Sequence, residues 1–204
     1  NRKNKRFVYL ISPNKIKNKD FYNKLHQVLS SKKVSFFQLR LKKENIRNKI
    51  FIGKKIKKIC KKYQVKFLIN DDPMLAKKVN ADGCHLGQKD MNILKARKIL
   101  KNKIIGITCH NSINLAKKAI SSGANYLAFG AFYPSKTKKV KYKASLKILS
   151  LTKKLTNTPV VAIGGIKDTN YKKLLLNKAN FLAISGYIWN NKKLNPKEAI
   201  NKII

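Results

Sequence analysis

The chain has 204 residues, 43% of them hydrophobic, which suits one folded domain with a sizeable core and excludes a disordered polycation. Its 48 Lys and Arg against eight Asp and Glu give a formal charge of +40, which taken alone points to nucleic acid or an anionic surface. No apolar run approaches the roughly 18–20 residues of a membrane span, and Phe7-Val8-Tyr9-Leu10-Ile11 is too short for a signal peptide's apolar region.

Short β-rich runs alternate with helix-patterned segments along the whole chain. The run 7–12 (FVYLIS) precedes Phe21, Leu25, Val28 and Leu29 at helical spacing. The run 35–40 (SFFQLR) precedes Ile46, Ile50, Ile56, Ile59 and Tyr63. Strand runs follow at 66–71 (KFLIND), 83–87 (GCHLG) and 103–109 (KIIGITC), the last leading into Ala116, Ala119 and Ile120. The remaining runs are 126–132 (YLAFGAF), 159–165 (PVVAIGG) and 181–188 (FLAISGYI), and a final segment after Pro196 carries Ala199, Ile200 and Ile203. Eight strand–helix units predict an α/β fold, a (β/α)8 TIM barrel with 1–204 as a single domain. An open doubly wound sheet would need a glycine-rich phosphate turn after its first strand, where Ser12-Pro13-Asn14 stands. Three strand entries echo one another: Ala81-Asp82-Gly83, Ala124-Asn125-Tyr126 and Ala179-Asn180-Phe181.

The charge is unevenly made. Only Arg2, Arg6, Arg40, Arg47 and Arg97 are Arg, whereas nucleic-acid surfaces favour the Arg fork. Lys is spread over nearly every helix beside abundant Asn and Ile, three residues with A/T-rich codons. Coding bias and a solvated outer face are therefore the preferred explanation, and nucleic acid is not the expected partner. Against that background, four of the eight acids fall between residues 71 and 90, the first pointer to metal or phosphate chemistry. Three cysteines, Cys60, Cys84 and Cys109, suggest a reducing cytoplasm. A first residue other than Met leads us to expect a few preceding residues.

In such barrels chemistry gathers at the C-terminal strand ends. The alternation in Gln38-Leu39-Arg40-Leu41-Lys42 points Gln38, Arg40 and Lys42 to one side. Asp71 and Asp90 follow adjacent strands, close enough to share a Mg2+, which takes one or two carboxylates and fills its shell with water and phosphate. Asp72, before Pro73, reads as a helix N-cap, and Asp90 could serve as cap and ligand together. Ser135 and Thr137 beside Lys138 suit an oxyanion, and Gly164-Gly165 with Ser185-Gly186 suit the phosphate site usual after strands seven and eight. Cys84-His85 and Cys109-His110 invite a zinc reading, but strand neighbours face opposite ways, so zinc is not expected. His85 reads as a packed barrel residue, and His110 as a candidate acid–base group.

Together QLRLK (38–42), NDD (70–72), ADGCHLGQKD (81–90), GITCHN (106–111), GAFYPSKTKK (130–139), VVAIGGI (160–166) and AISG (183–186) resemble the thiamine phosphate synthase family over nearly the whole chain. The resemblance implies a cytoplasmic transferase of thiamine biosynthesis. Such an enzyme moves the hydroxymethylpyrimidine group from its diphosphate to thiazole phosphate, with Mg2+ as cofactor. It implies Asp71 and Asp90 as metal ligands, and Gln38, Arg40, Lys42, Asn70, Thr108 and Lys138 as pyrimidine diphosphate contacts. Arg40, Lys42 and Lys138 are the catalytic candidates among these. Ser135, Thr137, Gly165, Ile184 and Ser185 are implied as thiazole phosphate contacts. Leu41 stands where an acid is usual, Thr108 replaces a Ser, and Ser135 replaces a Thr. The implied partners are these two small molecules, with no membrane, and a homo-oligomer is compatible. The rival readings are a thiazole tautomerase of the same barrel family, which would make His110 central, and a non-catalytic polyanion-binding barrel.

Overall fold

The eight β-rich runs become eight parallel strands, hydrogen-bonded in sequence order and closed last against first, in a computed structural model that describes residues 6–135 and 141–203. The first half runs β1 (Val8–Ile11), α1 (Asp20–Leu29), β2 (Val34–Leu39), α2 (Ile46–Lys62), β3 (Lys66–Asn70), α3 (Pro73–Lys78), β4 (Gly83–Leu86) and α4 (Ile93–Leu100). The second runs β5 (Ile104–His110), α5 (Ile113–Ser121), β6 (Tyr126–Phe129), α6 (Leu146–Leu155), β7 (Val160–Ile163), α7 (Tyr171–Leu176), β8 (Phe181–Ile184), α8 (Gly186–Trp189) and α9 (Pro196–Asn201).

Alternation along each strand sorts side chains into two apolar layers. Outward residues such as Phe37, Phe67, Cys84, Cys109 and Phe129 pack against the buried stripes of the helices, Leu25 and Val28 of α1 or Ile56 and Ile59 of α2 among them. Inward residues Tyr9, Ile11, Leu68, Tyr126, Ala128, Val161 and Ala183 fill the barrel. Phe36 and Phe181, edge-on with ring centres 5.0 Å apart, fill its lower part. α2, α3, α4, α5 and α9 start at Asn45, Asp72, Asn92, Ser112 and Asn195, each side chain accepting from the N–H three residues on. Each such cap is worth on the order of 1 kcal/mol.

The sequence echo has a structural meaning. The Asp82 N–H donates to the Phe67 carbonyl, and the Asp82 carboxylate accepts from the Phe67 N–H, both at 2.7 Å. Asn125 does the same with Ile105, and Asn180 with Val160. The three residues therefore staple the N-terminal ends of β3 to β4, β5 to β6 and β7 to β8. The mouth is built at the opposite end.

Several expectations need correction, beginning with the sixth and seventh strands, which stop at Phe129 and Ile163 where the chain turns into the mouth loops. The eighth strand does not run to residue 188: it stops at Ile184, and Gly186–Trp189 turn into α8 because the Ser185 carbonyl accepts from the Ile188 and Trp189 N–H groups. Ile46 leaves the apolar stripe, 52% exposed, because the buried residues of α2 begin at Ile52. Among the described residues no helix is long and apolar enough to cross a membrane.

Candidate active site at the barrel mouth

Two acids meet where β3 and β4 end. Asp71 turns off β3 with φ +65°, its N–H donating to the His85 carbonyl at 2.8 Å, which ties the ends of β3 and β4 together. Asp90 folds back in a tight turn so that its Oδ2 accepts from the Gly87 N–H at 2.7 Å. The cap of α4 is Asn92, not Asp90, so Asp90 serves the turn and the mouth rather than the helix. Asp72 is the cap expected of it, accepting from the Leu75 N–H at 2.9 Å. Burial raises the pKa of the Asp71 carboxyl, the Asp90 carboxyl within hydrogen-bonding reach raises it further, and Lys42 and Arg40 pull it down. Two carboxylates pressed together with cations nearby form an oxygen donor set for a hard divalent ion.

The basic side of the mouth comes from the end of β2. Gln38 lies inside the barrel, 3% exposed, while Lys42 stands in the turn beyond Leu39 with its Nζ 3.6 Å from Asp71 Oδ2. Strand alternation therefore places Gln38 but not Lys42. Arg40 is held by a residue that no motif marked: the Ser12 hydroxyl accepts from the Arg40 N–H at 2.9 Å, and the Ser12 N–H donates to the Gln38 carbonyl at 2.9 Å. The guanidinium donates to Asn14 Oδ1 at 3.1 Å.

Beneath the mouth a row of polar groups crosses the barrel. Gln38 Nε2 donates to the Tyr9 hydroxyl at 2.8 Å, and the Tyr9 and Tyr126 hydroxyls are 2.7 Å apart. His85 Nδ1 lies 2.8 Å from the Tyr126 hydroxyl, and His85 Nε2 lies 2.8 Å from Thr108 Oγ1. Gly106 makes room for this row, since a Cβ there would sit 1.8 Å from Cζ of Tyr126. The Gln88 side chain donates to the Thr108 carbonyl at 2.5 Å and holds the end of β5.

The far side is a glycine turn crossed by the segment after β6. The Phe132 and Tyr133 N–H groups donate to the Ile163 and Gly164 carbonyls at 3.1 Å each. Added Cβ atoms at Gly164 and Gly165 would lie 2.4 Å from Ala131 Cβ and 2.2 Å from the Pro134 carbonyl, and both glycines have positive φ. Only glycine fits this crossing. Ser185 follows Ile184 at the end of β8, and its hydroxyl donates to the Ser12 carbonyl at 3.1 Å.

The expected residues thus fall into two arcs of one rim. Arg40, Lys42, Asn70, Asp71 and Asp90 stand at the ends of β2, β3 and β4, while Ser135, Gly165, Ile184 and Ser185 stand at the ends of β6, β7 and β8. Gln38 and Thr108 are the ends of the row between. Thr137 and Lys138 lie outside the described residues. His110 is the last residue of β5, at φ +53°, with its ring stacked on Tyr142 at 3.8 Å between centres.

The pattern of the family described as thiamine monophosphate synthase matches residues 8–188. A thiamine-phosphate synthase of Pelagibacter ubique is 76% identical over 203 residues, covering 100% of this chain and 98% of its own length. One of Nitrosomonas eutropha is 39% identical over 179 residues, covering 87% of this chain and 84% of that protein. The solved thiamine phosphate pyrophosphorylase of Pyrococcus furiosus superposes with a TM-score of 0.84 at 27% identity, covering 98% of this chain and 94% of its own. With the barrel closed, its rim built from these residues and the match running from the first strand into α8, the chain belongs to the thiamine monophosphate synthase family of transferases.

Proposed function

We propose that this chain joins a hydroxymethylpyrimidine diphosphate to a thiazole phosphate, giving thiamine monophosphate and pyrophosphate, with Mg2+ held by Asp71 and Asp90. The observation that carries the reading is the facing Asp71–Asp90 pair, with Lys42 and Arg40 beside it, across the rim from the glycine turn at 164–165. A Mg2+ at that pair would offset the negative charge on the departing pyrophosphate. Arg40 and Lys42 would bind the same oxygens and stabilise the charge as the C–O bond breaks. Gln38, Asn70 and Thr108 would hold the pyrimidine end. Ser135, Gly165, Ile184 and Ser185 would hold the thiazole phosphate, with Thr137 and Lys138 assigned by resemblance.

In this scheme the C–O electron pair leaves with pyrophosphate, the electron-rich aminopyrimidine carries the resulting positive charge, and the thiazole nitrogen lone pair forms the new C–N bond. No protein nucleophile takes part, and positioning supplies much of the rate. The buried thiols Cys60, Cys84 and Cys109 support a reducing, cytoplasmic setting.

The test is mass-spectrometric detection of thiamine monophosphate by purified protein given both substrates, with each omitted in turn. Product that needs both supports the reading. Isomerisation of the thiazole alone, abolished in His110→Ala, would replace it with the tautomerase. Salt-sensitive polyanion binding without turnover would replace it with a binding barrel.

A further inference from the structure

The row beneath the mouth has one property that its separate contacts do not reveal: it conducts hydrogen-bond direction. Gln38 Nε2 has only hydrogens to offer, so the Tyr9 oxygen accepts from it at 2.8 Å. Either hydroxyl of the Tyr9–Tyr126 pair, 2.7 Å apart, can donate, and we assign the Tyr9 proton to the Tyr126 oxygen because that sense leaves the buried Tyr9 proton paired. In that sense the single Tyr126 proton goes to His85 Nδ1 at 2.8 Å. An Nδ1 that accepts fixes the neutral imidazole with its hydrogen on Nε2, which donates to Thr108 Oγ1 at 2.8 Å. Along the row Tyr9, Tyr126 and His85 each use one donor and one acceptor, and the direction set at Gln38 determines the direction at Thr108.

Both tyrosines stay protonated, because burial raises each phenol far above its ordinary range. Their rings are locked as well: Tyr126 packs on Tyr9 with centres 5.7 Å apart, on His85 at 5.7 Å and on Phe36 at 6.2 Å. Reversing the row while keeping every buried proton paired would require turning over the Gln38 amide and moving every proton together. Such coupled rows are stronger than isolated pairs in a low-dielectric interior.

We propose that Tyr9, Tyr126 and His85 are positioning residues that present the Gln38 amide with its carbonyl oxygen, and the Thr108 hydroxyl with its hydrogen, to the pyrimidine diphosphate. This rests on the function proposed above. Gln38 then offers an acceptor to a ring N–H or amino group, a contact that tightens as positive charge spreads over the pyrimidine. Thr108 offers a donor to an acceptor on the same substrate. The row makes a substrate preference at one end depend on the other, 70 residues away in sequence.

Two measurements test this. The first is the 15N spectrum of the three histidines in the unliganded protein, which reads the His85 tautomer without reference to activity. The row predicts the Nε2–H tautomer for His85, and its loss or averaging in Tyr9→Phe, where His85 itself is untouched. An Nδ1–H tautomer in the wild type would overturn the proposal. The second is a kinetic cycle of Tyr9→Phe, Tyr126→Phe and the double variant. Each single change is expected to lower kcat/KM for the pyrimidine diphosphate about tenfold, with KM for the thiazole phosphate unchanged. The double variant is expected to lose no more than either single one. Losses that multiply, or that fall equally on both substrates, would overturn it. Absence of any synthase turnover in the wild type would instead defeat the proposed function, while the tautomer reading would still decide the row.

Discussion

Gly106→Ala is the perturbation whose cost follows most directly from the structure. Gly106 lies inside β5, and an added Cβ would be 1.8 Å from Cζ and 2.2 Å from both Cε atoms of Tyr126. Carbon atoms pack at about 3.5–4.0 Å, so the overlap is well over 1 Å. The ring has nowhere to go, since Tyr126 is 3% exposed and its hydroxyl is held by Tyr9 and His85. Overpacking of this kind costs about 1–3 kcal/mol, and losing two buried hydrogen bonds adds about 1 kcal/mol each. The sum is about 3–5 kcal/mol, and a domain of this size loses about 2–4 °C per kcal/mol. Thermal unfolding of Gly106→Ala should therefore drop by about 6–20 °C. Gly123→Ala is the control, because Gly123 has φ +85° and nothing within 4 Å of an added Cβ. Its cost is backbone strain alone, about 1–2 kcal/mol. If Gly106→Ala melts no lower than Gly123→Ala, the packing of Tyr126 against β5 is wrong.

Asp82→Ala should cost about 1–3 kcal/mol more than Asp82→Asn in urea unfolding, because Ala leaves the Phe67 N–H unpaired whereas Asn keeps the staple, as Asn125 and Asn180 do. The Lys57–Asp82 pair at 2.8 Å, lost in both variants, adds at most about 1 kcal/mol. Asp71→Asn should stabilise the metal-free protein at neutral pH while abolishing turnover. A carboxyl whose folded pKa is raised favours folding at low pH, and that contribution is lost as pH climbs from about 3.9 through the folded pKa. The wild type should therefore lose more urea stability than the variant over that window. Gly165→Ala, with φ +60° and a Cβ 2.2 Å from the Pro134 carbonyl, should displace the glycine turn. Its KM for the thiazole phosphate should rise about tenfold, the loss of about 1.4 kcal/mol of binding, with KM for the pyrimidine diphosphate unchanged.

The barrel was legible because each βα unit repeats a local code. Alternating strands, apolar helical stripes and caps such as Asp72 act over a few residues, and Asp82, Asn125 and Asn180 repeat one hydrogen-bond pattern. Asp71 and Asp90 stood out because acids are scarce in a chain of charge +40. What stayed hidden depends on closure. Tyr9 and Tyr126, 117 residues apart, look like ordinary apolar strand residues until the barrel brings their hydroxyls together. Ser12 carries no motif, and its role exists only because β1 and β2 are neighbours. The end of β8 was misplaced because Tyr187 and Ile188 continue a β-rich pattern. A single helical turn after Ser185 overrides it, with the Trp189 indole N–H donating to the Ile11 carbonyl at 2.7 Å.

Metal-dependent pyrimidine transfer at the Asp71–Asp90 pair is tested most simply by pyrophosphate release from the purified protein, with and without Mg2+, in the wild type and in Asp71→Ala. Release is expected to require both substrates and Mg2+ and to fall by at least about 100-fold in the variant. Release that is indifferent to Mg2+, or undiminished in Asp71→Ala, would contradict this reading.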